Sequence, residues 1–124
     1  MQITALFIAA LIAVESSGRD HVSGDNGQSL GCLQISQGVI CDVNSFRGTA
    51  FFLEDRLDRE KSIEICRYYL DIWGRQLERR EGRECTDKDL ALIWNMGPFG
   101  YRKAHSKAGR DYWDKVVEAL GSGE

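Results

Sequence analysis

Three carboxylates, Glu15, Asp20 and Asp25, stand where a long apolar run gives way to a polar loop in "LIAVESSGRDHVSGDNGQSLGCLQIS". Glu15 comes at the end of that run, with Leu11 and Ile12 one helical turn back and Ile8 two turns back. A carboxyl held there loses hydration, which favours its neutral form and raises its pKa. The negative end of the helix dipole acts in the same direction. Both effects suit a general acid that must carry its proton near neutral pH. Asp25 follows ten residues later in "GDNG" and is the candidate second carboxylate, with Asp20 as the other choice. A carboxylate near a general acid can serve as base or nucleophile. The same Asp25 also reads as an ordinary turn residue between glycines.

Other chemistries fit the sequence less well. Cys32 as a nucleophile would need a positioned histidine, and His21 lies in the loop with no recognisable signature around it. Cys32, Cys41, Cys66 and Cys85 do not have zinc-site spacing, and His21 and His105 are the only imidazoles, so neither a metal nor any other cofactor is expected. In an exported protein the four cysteines allow three disulfide pairings. "GDNG" lacks the alternating acids and distant glutamate of a calcium loop. The basic run "GRQLERREGR" is interleaved with Glu78 and Glu81 and reads as a solvated helix face. With a formal net charge of -3, nothing points to nucleic acid. Any anionic polymer would have to be held by shape and hydrogen bonds rather than by a general electrostatic attraction.

The elements that must position these groups are mostly helical. "ITALFIAALIAV" is apolar nearly all round, which predicts a helix in the middle of a core. It has the length of a secretory signal's apolar region, but no Lys or Arg precedes it and Glu15 follows it, so no signal peptide is read here. It is also too short to span a bilayer. "LGCLQISQGVICDVN" mixes β-branched and small apolar residues without a clean period, as a short strand or hairpin leading into a helix does. From Asp58, Ile63, Cys66, Leu70, Trp73 and Leu77 recur at helical spacing until "RREGR" and Gly82. Thr86 with Asp89 opens another helix as a capping-box variant, and Gly97 and Pro98 close it. "GRDYWDKVVEALGSG" makes a last helix with Tyr112, Val116, Ala119 and Leu120 inward, stopped by Gly121. The 124 residues, without repeat or linker, read as one domain, 1–124.

The blocks around Glu15 carry a resemblance. "VESSG" followed by "GQSLGCLQIS" resembles the lysozyme and lytic transglycosylase superfamily, in which an apolar helix ends in Glu-Ser and a loop leads to Gly-x-x-Gly-Leu-Met-Gln-Ile. Here the loop is about one residue longer than in typical soluble lytic transglycosylases, and Cys32 and Leu33 stand where Leu-Met is usual. "LALIWNMGPFGYRKA" is similar to the family's Ala-Tyr-Asn-Ala-Gly-Pro-Gly, with Trp94 in the tyrosine's place and Asn95, Gly97 and Pro98 in register. "RDYWDKV" is similar to its closing Tyr-Val-x-Lys-Val, and goose-type and invertebrate-type lysozymes share related blocks.

The resemblance implies an α+β, predominantly α, lysozyme-like fold, with a buried central helix and a small β-hairpin after the catalytic glutamate. It implies a muramidase or lytic transglycosylase that cuts the β-1,4 bond between N-acetylmuramic acid and N-acetylglucosamine in peptidoglycan. Glu15 would be the acid/base. Asp25 stands near the spacing at which several lysozyme families carry a second acid. Ser29 and Gln34 would line the sugar cleft with Asn95, and Tyr112 would approach the acid. Amides and hydroxyls suit sugar hydroxyls and N-acetyl groups, while Trp94, Phe99 and Tyr101 offer flat aromatic surface. The expected partners are peptidoglycan glycan strands, met by a monomer outside the cytoplasm through export or phage delivery, with no membrane partner. The rival is a catalytically silent glycan-binding or structural subunit, such as one from a phage particle.

Overall fold

A computed structural model describes residues 1–122 as five α-helices and a small antiparallel sheet, an α-rich α+β architecture. The helices are α1 (Ala5–Ser16), α2 (Gln37–Arg47), α3 (Arg59–Glu81), α4 (Asp87–Met96) and α5 (Lys107–Ser122). The strands β1 (Ser23–Gly24), β2 (Ser29–Leu30) and β3 (Ile35–Ser36) lie between α1 and α2. The chain forms two compact units: Met1–Leu11 with the segment from Leu70 onward, and Ile12–Tyr69.

In the first unit α4 is the most deeply buried helix, with every side chain from Asp89 to Trp94 inside. It packs on α5 and on a 3-10 turn at Gly100–Lys103. Gly100 is required there, because any β-carbon would drive into the Leu92 carbonyl. The capping box read from Thr86 and Asp89 is present: Asp89 N–H donates to Thr86 Oγ1 at 3.1 Å and Thr86 N–H to Asp89 Oδ2 at 2.9 Å. Arg83 adds a two-pronged ion pair to Asp89, through Nη1 at 2.6 Å and Nη2 at 3.0 Å. Fully buried Phe7, Leu11, Leu70, Leu77, Leu92 and Val116 supply the apolar interior. Each side chain of that kind contributes roughly 1.5–3 kcal/mol through removal of its surface from water.

In the second unit the three strands are ordered β1-β2-β3, with Ser23 opposite Leu30 and Leu30 opposite Ile35. Ser36 caps α2 by accepting from Val39 N–H at 3.4 Å, and Gly48 ends that helix at φ 66°. The core consists of Ile12, Cys32, Leu33, Ile35, Ile40, Val43, Ile65, Cys66 and Tyr69. One side chain shapes the following loop. Asn44 donates to the Phe51 carbonyl at 3.0 Å and accepts from Phe51 N–H at 2.9 Å and Thr49 Oγ1 at 2.8 Å.

Three expectations need correction. α1 is not enclosed on all sides, since Leu6 is 65% exposed and Ala5, Ala9 and Ala13 also face outward. An apolar sequence all round is compatible with a surface flank when that flank is mostly alanine, whose small apolar area costs little in water. α5 does not stop at Gly121 but continues through it to Ser122. A glycine weakens a helix by about 1 kcal/mol without ending it. The expected hairpin is a three-stranded sheet, and the 3-10 turns at Leu53–Leu57 and Gly100–Lys103 had no periodic signal.

Candidate active site

The end of α1 is built to present Glu15. Ser16 is buried and turns its hydroxyl back to the Ile12 carbonyl at 3.0 Å. Ser17 and Gly18 then take φ of 54° and 82°, which stops the helix within two residues. Ser17 N–H donates to Ala13 O at 3.0 Å, and Arg19 donates through Nε to Ser16 O at 2.9 Å. Cationic Arg19 therefore satisfies a terminal carbonyl at the negative end of the helix. Glu15 itself is half-buried, less desolvated than its apolar neighbours in sequence suggested.

The second unit also carries two buried thiols, Cys32 and Cys66. Burial pushes the Cys66 thiol well up, and Arg67 pulls it back. Cys32 is likewise pushed up, first by burial and against the pull of Arg59. Both are therefore neutral, apolar filling rather than nucleophiles.

The two second-carboxylate candidates are both engaged. Asp20 accepts from Arg59 Nε at 2.9 Å, and Arg59 also donates to the Gly18 carbonyl, so α3 ties down the loop leaving α1. Asp25 is exposed at φ 50° in a tight turn, and its Oδ2 accepts from the Ser29 hydroxyl at 2.8 Å. Ser29 is buried, with its proton committed to that bond. Gln34 stands at φ 52° and donates its side-chain amide to the carbonyls of Val22 at 2.9 Å and Gly31 at 3.0 Å. Its Oε1 lies against Gly24, where any side chain would displace it. Gln34 thus staples the sheet through its side-chain amide.

The first unit holds the remaining sequence-selected residues. Trp94 and Asn95 sit on α4, the former buried and the latter exposed, and Tyr112 is buried on α5, which packs on α4. Tyr101 is buried with its hydroxyl donating to Glu81 Oε2 at 2.7 Å and accepting from Arg80 at 3.1 Å. That bond and the neighbouring Arg102 hold the Glu81 carboxyl below its ordinary range. Phe99 is 48% exposed, but the guanidinium groups of Arg80 and Arg102 lie 4.4 and 4.9 Å from its ring centre. Cation–π partners already use that ring.

Sequence reasoning did not find Arg19, Arg59 or Asn44, because each acts through a bond to backbone or across the fold that no spacing encodes. Among the described residues there is no cluster of three or more His, Cys, Asp or Glu able to hold a metal, and no helix long and apolar enough to cross a membrane. No family model and no curated protein matches the chain.

Proposed function

We propose that this protein is a lysozyme-like, peptidoglycan-cleaving glycosidase whose general acid is Glu15. The observation that carries the reading is the placement of a half-buried glutamate at the sharply capped end of an apolar helix, followed by a small sheet in the same unit. Glu15 would protonate the glycosidic oxygen between N-acetylmuramic acid and N-acetylglucosamine. Gln34 Oε1 would accept a hydrogen bond from the sugar.

Of the two product chemistries, the engaged state of Asp20 and Asp25 favours the route that needs one carboxylate. Glu15, having lost its proton, would take one from the sugar's own 6-hydroxyl, giving a 1,6-anhydro product. The protein would act outside the cytoplasm, on glycan strands reached by export or from a phage. Purified peptidoglycan digested by the wild type and analysed by mass spectrometry tests this reading, and anhydro-muropeptides are expected. Reducing-end products would instead indicate a hydrolase, with Asp25 as the first residue to substitute.

A second reading, a silent glycan-binding subunit, draws support from the same bonds. Asp20, Asp25, Ser29 and Gln34 all have intramolecular partners that hold the loop and sheet. Glycan binding without any turnover would establish it.

A further inference from the structure

The turn joining β1 to β2 runs through Asp25, Asn26, Gly27 and Gln28, and its first three residues are left-handed, with φ of 50°, 57° and 87°. The Ser29 hydroxyl on Asp25 at 2.8 Å and Gln28 N–H on the Asp25 carbonyl at 3.1 Å tie its two ends together. Asn26 and Gly27 form its exposed tip, and the Asn26 side-chain amide has no hydrogen-bond partner among the described residues. A β-carbon at Gly27 would meet nothing within 4 Å, so no neighbour crowds the space beside that residue.

An asparagine followed by glycine in such a place is able to react with its own backbone. The Gly27 nitrogen attacks Asn26 Cγ. The new N–C bond closes a cyclic imide, the Cγ–Nδ2 bond breaks, and ammonia leaves with the proton of the Gly27 amide. Water, the one co-reactant, then opens the ring. Addition at Cγ gives aspartate, whereas addition at the Asn26 main-chain carbonyl gives isoaspartate, in which the chain runs through the side-chain carbon.

The other two asparagines are held differently. The Asn44 side chain donates to the Phe51 carbonyl and accepts from Phe51 N–H and Thr49 Oγ1, and Ser45 follows it within α2. Asn95 is exposed, but the nitrogen that would attack belongs to Met96, and both residues lie in α4. Closing a ring at either requires helical backbone to open, while at Asn26 it requires only a movement of the turn tip.

We propose that Asn26 is a site of spontaneous deamidation through a Gly27 imide, and that the isoaspartate product loosens the β1–β2 turn. Both products add a carboxylate, but only isoaspartate adds a carbon to the main chain between Gly24 and Ser29, which are paired across the sheet. The site is separate from the Glu15 chemistry and stands whether or not the protein cuts glycan.

The test incubates full-length protein at neutral and at mildly alkaline pH and follows it by peptide mass mapping, with isotope-labelled protein for amide spectra. A gain of about one dalton at Asn26 is expected, faster at the higher pH and present as both aspartate and isoaspartate. It should run at least roughly tenfold ahead of any gain at Asn44 or Asn95. Asn26→Gln should abolish it. Asn26→Asp carries the charge without the extra carbon, and should keep the native amide shifts of residues 23–30 that the isoaspartate form loses. No gain at Asn26 over a time in which the same protein in denaturant deamidates there would overturn the proposal, as would equal gains at all three asparagines. Matching shifts at residues 23–30 in Asn26→Asp and the isoaspartate form would overturn the effect on the turn.

Discussion

Asp89→Ala should destabilise the protein more than any other single carboxylate substitution at the helix ends. The side chain is only 8% exposed and accepts four hydrogen bonds, from Thr86 N–H, Thr86 Oγ1 and both Arg83 Nη atoms. Loss of the capping interaction at the start of α4 costs about 1 kcal/mol. Arg83 is 46% exposed, so its pairing is screened and adds roughly 1 kcal/mol rather than the value of a fully buried pair. The total of about 2 kcal/mol corresponds to a fall of about 8 °C in melting temperature for a domain of this size.

Asp89→Asn keeps an acceptor for the Thr86 cap and should lose about half as much. Burial raises the Asp89 carboxyl, but the bonds from Arg83 and Thr86 outweigh it, and its folded-state pKa lies below 3.8. Its contribution is therefore fully present above that value and is lost as the pH falls through the lower folded-state pKa. The gap between wild type and Asp89→Asn, measured by denaturant titration, should be constant from pH 7 to about 5 and close in stronger acid. An Asp89→Ala loss under about 0.5 kcal/mol, or a gap that widens in acid, would refute this reasoning.

Further outcomes follow from other contacts. Gly31 has φ 88° and lies against the Arg56 carbonyl, so Gly31→Ala should cost at least about 2 kcal/mol and weaken the hold on residues 53–57, seen as faster amide exchange there. Cys41 is exposed, whereas burial pushes the Cys32 and Cys66 thiols up and carries Cys85 to about 12. One thiol should therefore react quickly with a disulfide reagent at pH 8 in the reduced native protein and four after denaturation; rapid native labelling at Cys66 would contradict its placement. Asn44→Ala removes three contacts from the loop at residues 49–51 and should speed amide exchange there without unfolding α2, a result readable by hydrogen exchange.

How far the sequence revealed this structure depends on where the determining contacts lie. The α3 stripe at Cys66, Leu70 and Leu77 is visible because helical spacing and burial carry the same information. The Thr86 and Asp89 cap is visible because its partners are three residues apart. The sheet was legible only as a hairpin, since two-residue strands leave no alternation to read. The engagement of Asp20 was hidden because Arg59 is thirty-nine residues away. Glu15 could be selected from the apolar run before it, but the exposed alanine flank and the Arg19 contact depend on which side of α1 finds a neighbour.

The most direct measurement is the clearing of purified peptidoglycan by wild type and Glu15→Gln at equal concentration, with amide spectra to establish that both are folded. Glutamine keeps the shape of the side chain and its capacity to hydrogen-bond but cannot deliver the proton. The proposed role predicts that wild type clears the walls and that Glu15→Gln folds, still binds glycan and clears roughly a hundred- to ten-thousand-fold more slowly. Clearing by folded Glu15→Gln at the wild-type rate would contradict the assignment of Glu15 as the acid.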